Sequence, residues 1–260
     1  AAALASVNPA LLGAIGGLES SARVKGSDNA YGWNAGVLFN VGDDSRVGLH
    51  YRSSLKYRIE GTATFANPAV SGAAAGLAAA VNASVLSNGR ITSDVEIPAI
   101  VNLSYFTKLD ERWDLMADAQ WTQWSTIRNL TFVRADGTVL RDTPENFKNA
   151  WKLAVGANYR YSPQWTLRGG IAYDQSPVQE RYMTPRLPDA DRTWLTLGAR
   201  YKANPKLTVD VGAAYLFVKK ARINDNGDPG NPAGALANGL VNGYYDSRVV
   251  ILSAQLNYAF

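Results

Sequence analysis

Apolar and polar residues alternate along most of this 260-residue chain, most clearly in its final stretch, VVILSAQLNYAF. The apolar members of that stretch are Val250, Leu252, Ala254, Leu256, Tyr258 and Phe260, with Ser253, Gln255 and Asn257 between them. Since successive side chains of a β-strand point to opposite faces, the pattern predicts a strand with one apolar and one polar face. Chain ends normally fray into water, yet this apolar face continues to the last residue. We therefore expect the strand to lie against an apolar environment.

The same alternation recurs in eight earlier segments, which makes nine predicted strands. They are residues 31–41, 45–61, 92–106, 112–125, 148–161, 164–174, 193–203, 206–219 and 248–260. Aromatic residues cluster at the ends of the apolar faces, as in Trp113 with Trp121 and Trp165 with Tyr173. A membrane-spanning strand needs about nine to eleven residues and carries an outward apolar band between two aromatic girdles. The pattern therefore predicts strands that cross a bilayer.

The polar faces of these strands are too charged for the core of a soluble protein. In the strand predicted at 45–61, that face carries Arg46, His50, Arg52, Lys56, Arg58 and Glu60. A large soluble β-sandwich or β-helix would also alternate, but it does not require aromatic bands at both ends of strand after strand. We therefore predict an all-β fold, an antiparallel transmembrane β-barrel whose polar face lines the lumen.

Short and long connections alternate between the predicted strands. The short turns are residues 42–45, 107–112, 162–164 and 203–206, and the long connections are 61–91, 125–147, 174–192 and 220–247. Outer-membrane barrels have short turns on the periplasmic side and long loops outside, so a last strand that runs towards the periplasm places residues 1–25 in an extracellular loop segment. Single-chain bacterial barrels have an even number of strands and no free edges. We therefore expect the C-terminal part of a longer barrel, or a chain that pairs with another fragment.

The composition argues against several other classes of protein. The net charge is +4 and the Lys and Arg residues are scattered, which argues against a nucleic-acid partner. The chain has no Cys and no run of eighteen apolar residues, so neither disulfides nor a transmembrane helix is expected. Its single histidine, His50, lies beside Arg52 on a basic face, which is unfavourable for Ser–His catalysis. We predict no enzyme activity, no metal site and no cofactor.

Two of the outer connections are unusually apolar. Residues 9–23 and 62–90 are rich in Ala, and their larger apolar residues recur at roughly helical spacing. Those residues are Leu11, Leu12, Ile15, Val70, Leu77, Val81 and Val85. Contiguous exposed apolar patches usually mark binding sites, so these partly helical loops predict an apolar ligand-binding groove. The alternative is that the two loops pack on each other only to stay folded.

Several stretches resemble the FadL-type outer-membrane transporters of long-chain fatty acids and other hydrophobic compounds. They are GWNAGVLF at 32–39, YRS at 51–53, FKNAWKLAVG at 147–156, WTLRGGIAYDQSPV at 165–178, PDADRTWLTLGARY at 188–201, DVGAAY at 210–215 and the terminal LNYAF. The resemblance runs from about residue 30 to the end, and PDADRTWL is a fairly specific part of it. It implies a fourteen-stranded barrel plugged by a hatch near its N-terminus, so that the hatch and the first five strands would lie upstream of this chain.

The resemblance also implies partners. Phe260, Tyr258 and Leu256 resemble the terminal signal that the barrel assembly machinery reads. The other implied partners are a long-chain fatty acid or similar hydrophobic molecule, outer-membrane lipid and lipopolysaccharide, and the missing N-terminal barrel segment. Residues 9–23 and 62–90 match in position and character the two outer loops that capture substrate in the family.

Cationic side chains of the lumen and its rims are candidate contacts for a fatty-acid carboxylate. They are Lys152, Lys56, Arg52, Arg141, Arg192 and Lys220. A charge-assisted hydrogen bond to such a group contributes about 1.5 to 3 kcal/mol. The alternative is that these cations pair with the acidic residues Asp114, Asp118, Asp174, Asp189 and Asp191 to hold the barrel interior together.

We therefore expect passive uptake of long-chain fatty acids across the bacterial outer membrane, through an apolar extracellular groove and a lumenal pocket with cationic groups. Uptake of aromatic or other neutral hydrocarbons, which needs no cationic contact, is the alternative within the family. A general water-filled porin or an adhesin is an alternative of another class, and the apolar outer loops argue against a porin.

Overall fold

The computed structural model describes residues 20–72, 75–84, 86–226 and 239–260, which contain sixteen β-strands and one α-helix. In chain order these are β1 (Ser21–Ser27), β2 (Asn34–Val41), β3 (Ser45–Arg52), β4 (Leu55–Ala66), α1 (Ala75–Ser84), β5 (Gly89–Ile97), β6 (Ile100–Lys108), β7 (Trp113–Thr122), β8 (Asn129–Arg134), β9 (Val139–Pro144), β10 (Ala150–Arg160), β11 (Trp165–Asp174), β12 (Arg192–Lys202), β13 (Leu207–Val218), β14 (Ala221–Asp225), β15 (Val241–Tyr245) and β16 (Arg248–Tyr258). No helix within these ranges is long and apolar enough to cross a bilayer.

Nine of the strands form one antiparallel sheet in the order β2-β3-β6-β7-β10-β11-β12-β13-β16. Each strand between β2 and β16 pairs with the member that precedes it and the member that follows it along the chain. Within the described residues, β2 and β16 have a neighbour on one side only. The predicted all-β antiparallel class and the nine wall strands are confirmed.

One face of this sheet, which we call the outward face, is apolar and exposed. Backbone pairing aligns one of its rows across all nine strands, as Val37, Leu49, Leu103, Ala119, Leu153, Tyr173, Thr193, Phe217 and Arg248. The exposed fraction is 78% for Leu252, 66% for Leu197 and 57% for Val155. An apolar surface of this extent is unfavourable in water and is typical of the band that a barrel presents to lipid.

The opposite face, which we call the inner face, is held by charged groups. Arg160 contacts both oxygens of Asp114 at 2.7 Å. Asp210 accepts hydrogen bonds at 2.9 Å from both Arg168 and Arg200, which reach it from β11 and β12. These pairs link β7 to β10, and β13 to both β12 and β11, across the lumenal side of the wall, so most of the charge at this level is neutralised.

Three of the short turns share one hydrogen-bonding scheme. In each, a short polar side chain accepts bonds from the backbone N–H groups two and three residues later. The distances are 2.7 and 2.8 Å for Asp110, 3.3 and 3.1 Å for Ser162, and 2.9 Å twice for Asn204. Such local bonds stabilise a tight turn without any contact from the rest of the molecule.

Two predicted strands are wrong in extent, because each is divided in the structure. The segment 45–61 splits at Ser53 and Ser54, and the segment 92–106 splits at Pro98. Proline has no N–H to donate to a strand ladder, so it favours an interruption. Beyond these breaks, β4 and β5 leave the nine-stranded sheet and join a second one, ordered β1-β4-β5-β8-β9.

The connection predicted at 125–147 is a β-hairpin, β8–β9, rather than an irregular loop. Its turn contains Gly137 at φ +84°, a backbone conformation that glycine adopts readily. Thr138 donates two hydrogen bonds to Asp136, from its N–H at 2.9 Å and from its hydroxyl at 2.7 Å. The Asp-Gly pair is a strong hairpin signal, and it was present in the sequence.

Other long connections are also partly ordered. Residues 62–90 contain the end of β4, the helix α1 and the start of β5. In the connection predicted at 220–247, β14 pairs with β15, and Met183, Ala221 and Ile223 pack into a small buried cluster beside them. Most of the segment predicted at 1–25 lies outside the described residues, and β1 begins at Ser21.

Candidate functional site

A row of polar side chains crosses the inner face near the end of the sheet that carries the long connections. Backbone pairing aligns it over six strands as His50, Asn102, Gln120, Lys152, Asp174 and Arg192. Two of the six predicted carboxylate contacts, Lys152 and Arg192, are therefore brought into one row. This alignment follows from strand register, which places alternate residues on the same face.

A cavity of about 760 Å³ lies between this row and the long connections. Its volume is within the range of about 300–1,000 Å³ that is usual for small-molecule sites. The polar residues that line it include Gln120, Lys152, Asp174 and Arg192, and the apolar ones include Ile97, Pro98, Trp124, Phe147, Val178 and Leu187. The cavity thus combines apolar walls with a cationic end.

Lys152 is the cation of this cavity that forms no ion pair, although Asp174 lies opposite it on the next strand. Its Nζ lies 4.7 Å from the centroid of the Trp194 ring, which stabilises the ammonium through the negative face of the indole. Within the described ranges, no carboxylate comes within 4.0 Å of Lys152. The ammonium is held in position while its hydrogen-bonding capacity is left for another partner.

Arg192 differs, because acidic side chains surround it. Its Nε lies 3.3 Å from Asp174 and its Nη2 lies 3.4 Å from Asp189. The Ser176 hydroxyl also donates to Asp189, at 2.8 Å. Arg192 thus forms ion pairs in the cavity wall. Such pairing with acidic residues is the alternative role that the sequence left open for the predicted cations.

An aromatic pair forms part of the wall opposite. The rings of Trp124 and Phe147 meet edge to face with centroids 6.1 Å apart. Phe147 is fixed by its N–H, which donates to the Ile127 carbonyl at 3.1 Å. Both residues line the cavity, and sequence reasoning missed them. Trp124 lies at the end of the strand predicted at 112–125, on its polar side, and Phe147 precedes the strand predicted at 148–161. The stretch WTQWST was the available signal, since Trp124 falls outside the alternation that ends at Trp121.

Asp191 organises the rim beside this cavity. It accepts hydrogen bonds from the Tyr173 hydroxyl at 2.7 Å, from the Ser176 N–H at 3.0 Å and from Lys219 Nζ at 3.0 Å. Burial alone would raise the pKa of the Asp191 carboxyl, but these three donors outweigh it and lower the pKa to about 2. The rim therefore carries a permanent carboxylate at neutral pH.

The remaining predicted cations do not join the cavity. Arg52 ends β3 on the inner face and is exposed, and Lys56 is exposed in the second sheet. Arg141 lies on β9, where its Nε donates to Thr143 at 3.4 Å. Lys220 lies 3.8 Å from Asp246 and 4.7 Å from the centroid of the Tyr244 ring.

The predicted apolar groove is only partly within the described residues. Leu11, Leu12, Ile15 and Val85 lie outside them. Positions 77 and 81 are on α1, and Val70 is half-buried before it.

At the C-terminus, Phe260 is fully exposed, Leu256 is exposed, and the Tyr258 and Phe260 rings are 5.4 Å apart. His50 belongs to the polar row, and in the described part of the chain no three His, Asp or Glu side chains are grouped as metal ligands.

Comparison with known proteins gives a consistent result. Residues 2–260 match the model of the family described as "Outer membrane protein transport protein (OMPP1/FadL/TodX)". The long-chain fatty acid transport protein of Escherichia coli (strain K12) is 31% identical over 220 residues, which are 83% of this chain and 49% of that protein. Outer membrane protein P1 of Haemophilus influenzae is 32% identical over 232 residues, which are 88% of this chain and 47% of that protein. The chain thus spans about half the length of the curated relatives that it matches.

Solved structures agree on the fold. A FadL homologue of Pseudomonas aeruginosa superposes with a TM-score of 0.79 at 27% identity and covers 93% of this chain and 55% of that structure. The toluene transporter TodX of P. putida superposes with a TM-score of 0.59 at 18% identity over 97% of this chain and 57% of that structure, and it supports the fold alone. The family consists of outer-membrane transport channels rather than enzymes, which confirms both the predicted location and the predicted absence of enzyme activity. The chain belongs to this outer membrane transport protein family, and the wall that it forms is part of a β-barrel in the bacterial outer membrane.

Proposed function

We propose that the chain forms part of a channel for passive uptake of long-chain fatty acids, with the cavity at Lys152 as its lumenal binding site. In this proposal the end of the sheet with the long connections faces the cell surface. The fatty-acid carboxylate binds Lys152, and the acyl chain lies along the apolar walls of the cavity. The E. coli relative carries the name of a long-chain fatty acid transport protein, which agrees with this substrate class.

The observation that carries the proposal is the unpaired ammonium of Lys152 in a mostly apolar cavity. A buried or half-buried cation without a counter-ion is unfavourable unless a partner binds it. A carboxylate supplies that partner, and a charge-assisted hydrogen bond contributes about 1.5 to 3 kcal/mol. Each methylene that leaves water adds about 0.8 kcal/mol, so the tail supplies most of the affinity and the cation selects the head group.

Capture at the surface is the second element of the proposal. Residues 62–90 carry α1 and a high content of Ala, which suits an apolar outer groove. An acyl chain can bind such a surface through burial of methylenes alone, before any polar contact forms. Transfer from the outer groove to the cavity then adds the contact with Lys152. No energy source is needed when each step follows the gradient of the ligand.

Substitution of Lys152 by Met tests the lumenal site. We expect oleate to bind about tenfold or more weakly to the variant, because the charge-assisted bond is lost. Oleyl alcohol, which has the same chain length and no charge, should bind with little change. Displacement of a fluorescent fatty acid from the detergent-solubilised protein measures both ligands. Lys202→Met is the matched control. Lys202 is the last residue of β12, at the end of the sheet that carries the short turns.

Equal affinities of the parent and the Lys152→Met variant for oleate would contradict the proposed site. Equal weakening of oleate and oleyl alcohol would favour the uptake of neutral compounds instead. The Trp124–Phe147 pair gives that second candidate some structural support, because aromatic ligands pack well against aromatic walls. Toluene in the same displacement experiment distinguishes the two.

A further inference from the structure

The outward face of the sheet has a groove of about 610 Å³ that the proposed uptake path does not use. Its floor is formed by the small side chains Ala117 and Ala119 on β7. Larger residues line it on both sides, Leu103 on β6 and Leu153 and Val155 on β10 among them. The groove runs across five neighbouring strands, from β6 to β12, on the face that contacts lipid, and its lining is almost entirely apolar. Its shape and chemistry suit an extended hydrocarbon chain.

The groove ends at Tyr173, next to a lysine. Lys219 Nζ lies 5.6 Å from the centroid of the Tyr173 ring and 3.0 Å from Asp191. The Lys219 side chain is 65% exposed despite these contacts. The ammonium has three N–H donors and interacts with both Asp191 and Tyr173, and its exposure leaves it accessible to a ligand as well. Asp191 and Tyr173 therefore position the ammonium above the apolar groove.

A second cation lies on the same row of the outward face. Strand pairing aligns Tyr173, Thr193, Phe217 and Arg248 on four consecutive strands. Arg248 is exposed, and it forms no ion pair with any residue in the described part of the chain. Phe217 pairs with Arg248 in this row, and the Tyr215 ring, 4.5 Å from the Phe217 ring, lies one row nearer to the apolar band. Cations directly above an aromatic girdle are at the depth of lipid head groups.

We propose that Lys219, Arg248 and this groove form a binding site for a phosphorylated lipid of the surrounding leaflet. The lipid phosphate binds the two cations, and one acyl chain lies in the groove over Ala117 and Ala119. A phosphate accepts several charge-assisted hydrogen bonds at once, and an arginine fork matches its geometry. The net charge of Lys219, Arg248 and Asp191 is +1, so an anionic head group complements the site.

General lipid contact does not explain this arrangement. A barrel needs only an apolar band to sit in a bilayer, and it gains nothing from a groove whose end carries an oriented ammonium. Snorkelling alone would place Lys219 in water without a fixed direction. Here the hydrogen bond to Asp191 and the Tyr173 ring hold its position. The groove and Arg248 are also separate from the cavity at Lys152, because they lie on the other face of the sheet.

The experiment uses the purified protein reconstituted into phosphatidylcholine vesicles that contain a small fraction of a brominated lipid. Bromine quenches tryptophan on contact, and Trp121 and Trp151 pair with each other on the outward face beside the groove. We expect brominated phosphatidic acid to quench more strongly than brominated phosphatidylcholine at the same mole fraction. Substituting either Lys219 or Arg248 by Met should lower this preference about fivefold. Lys206→Met, at the turn end of β13, is the matched control and should retain the preference.

A second variant tests the groove. Ala119→Phe fills its floor, and it should reduce quenching by both brominated lipids while the barrel keeps its heat-modifiable mobility. Equal quenching by the two lipids in the parent protein would overturn the proposal. The same loss in Lys206→Met as in Lys219→Met would also overturn it, because the effect would then follow net charge alone. Oleate binding is measured in parallel, and it should be unchanged in Arg248→Met, so this proposal and the uptake proposal fail independently.

Discussion

The Trp124 ring meets the Phe147 ring edge to face at a centroid distance of 6.1 Å and closes one wall of the cavity that contains Lys152. An aromatic pair in this geometry contributes about 0.5–1.5 kcal/mol beyond area burial. We therefore expect Phe147→Ala to weaken binding of oleate by about two- to tenfold in the displacement assay. Phe106→Ala removes the same ring near the turn end of the inner face and should leave affinity unchanged. Equal losses in the two variants would show that the cavity wall has no special role.

The rim carboxylate Asp191 predicts an acid-dependent stability. Its pKa is lowered from 3.8 to about 2 in the folded protein, so between these values the unfolded chain binds more protons than the folded one. The stabilisation is complete above the unfolded pKa and is lost as the pH falls through about 2. The shift corresponds to about 2 kcal/mol.

Urea unfolding of the protein between pH 6 and pH 2, followed by its heat-modifiable mobility, measures this effect. Asp191→Asn should lower stability at neutral pH and flatten the dependence on pH in the acid range. Asp43→Asn, in an exposed turn, makes the same charge change and is the control. A variant at Asp191 with the slope of the parent protein would show that the Tyr173, Ser176 and Lys219 contacts do not stabilise the fold.

The capture step predicts a charge effect on α1. Positions 77 and 81 are four residues apart and therefore lie on the same side of the helix. Aspartates at both positions would have to lose water against an acyl chain, which is unfavourable, so the double variant should bind oleate markedly less tightly. Asp at 79 and 83 adds the same charge on the opposite side of α1 and should have little effect. Unchanged affinity of the 77 and 81 variant would leave these loops with a structural role only.

The last residue predicts an effect on assembly. The apolar row of β16 ends in exposed aromatic rings at Tyr258 and Phe260, and the exposed ring is available to another protein. We expect deletion of Phe260 to reduce the amount of protein in the outer membrane, with synthesis unchanged. Quantitative immunoblots of membrane fractions measure it. Tyr161→Ala, which removes another exposed ring, should assemble normally, and a normal level of the Phe260 deletion would exclude the signal.

The wall of the barrel could be predicted because its periodicity is local. A strand such as β10 shows its two faces in eleven consecutive residues, and parity alone placed Lys152 on the inner face. The breaks at Ser53 and Pro98 could not be predicted by alternation, because the apolar pattern continues through them. For the same reason, the sequence did not show that β4 and β5 belong to a second sheet.

The site was less predictable than the wall, because it depends on contacts between distant residues. Parity placed Lys152 and Arg192 on the same face. Only the structure shows that Asp174 and Asp189 form ion pairs with Arg192 and not with Lys152. Trp124 and Phe147 are 23 positions apart in the chain, and neither belongs to the apolar row of a predicted strand. Their contact depends on the course of the β8–β9 hairpin between them.

The unbroken register of the nine-stranded sheet constrains how such a chain can change length during evolution. In β12, Arg192 faces the lumen and Leu195 faces the lipid. One residue gained or lost inside β12 would exchange these two faces for all residues of the strand on one side of the change. Gains or losses of two residues preserve the two faces, and the outer connections can accept any number. Insertions and deletions in natural variants should therefore be even in the strands and unrestricted outside them.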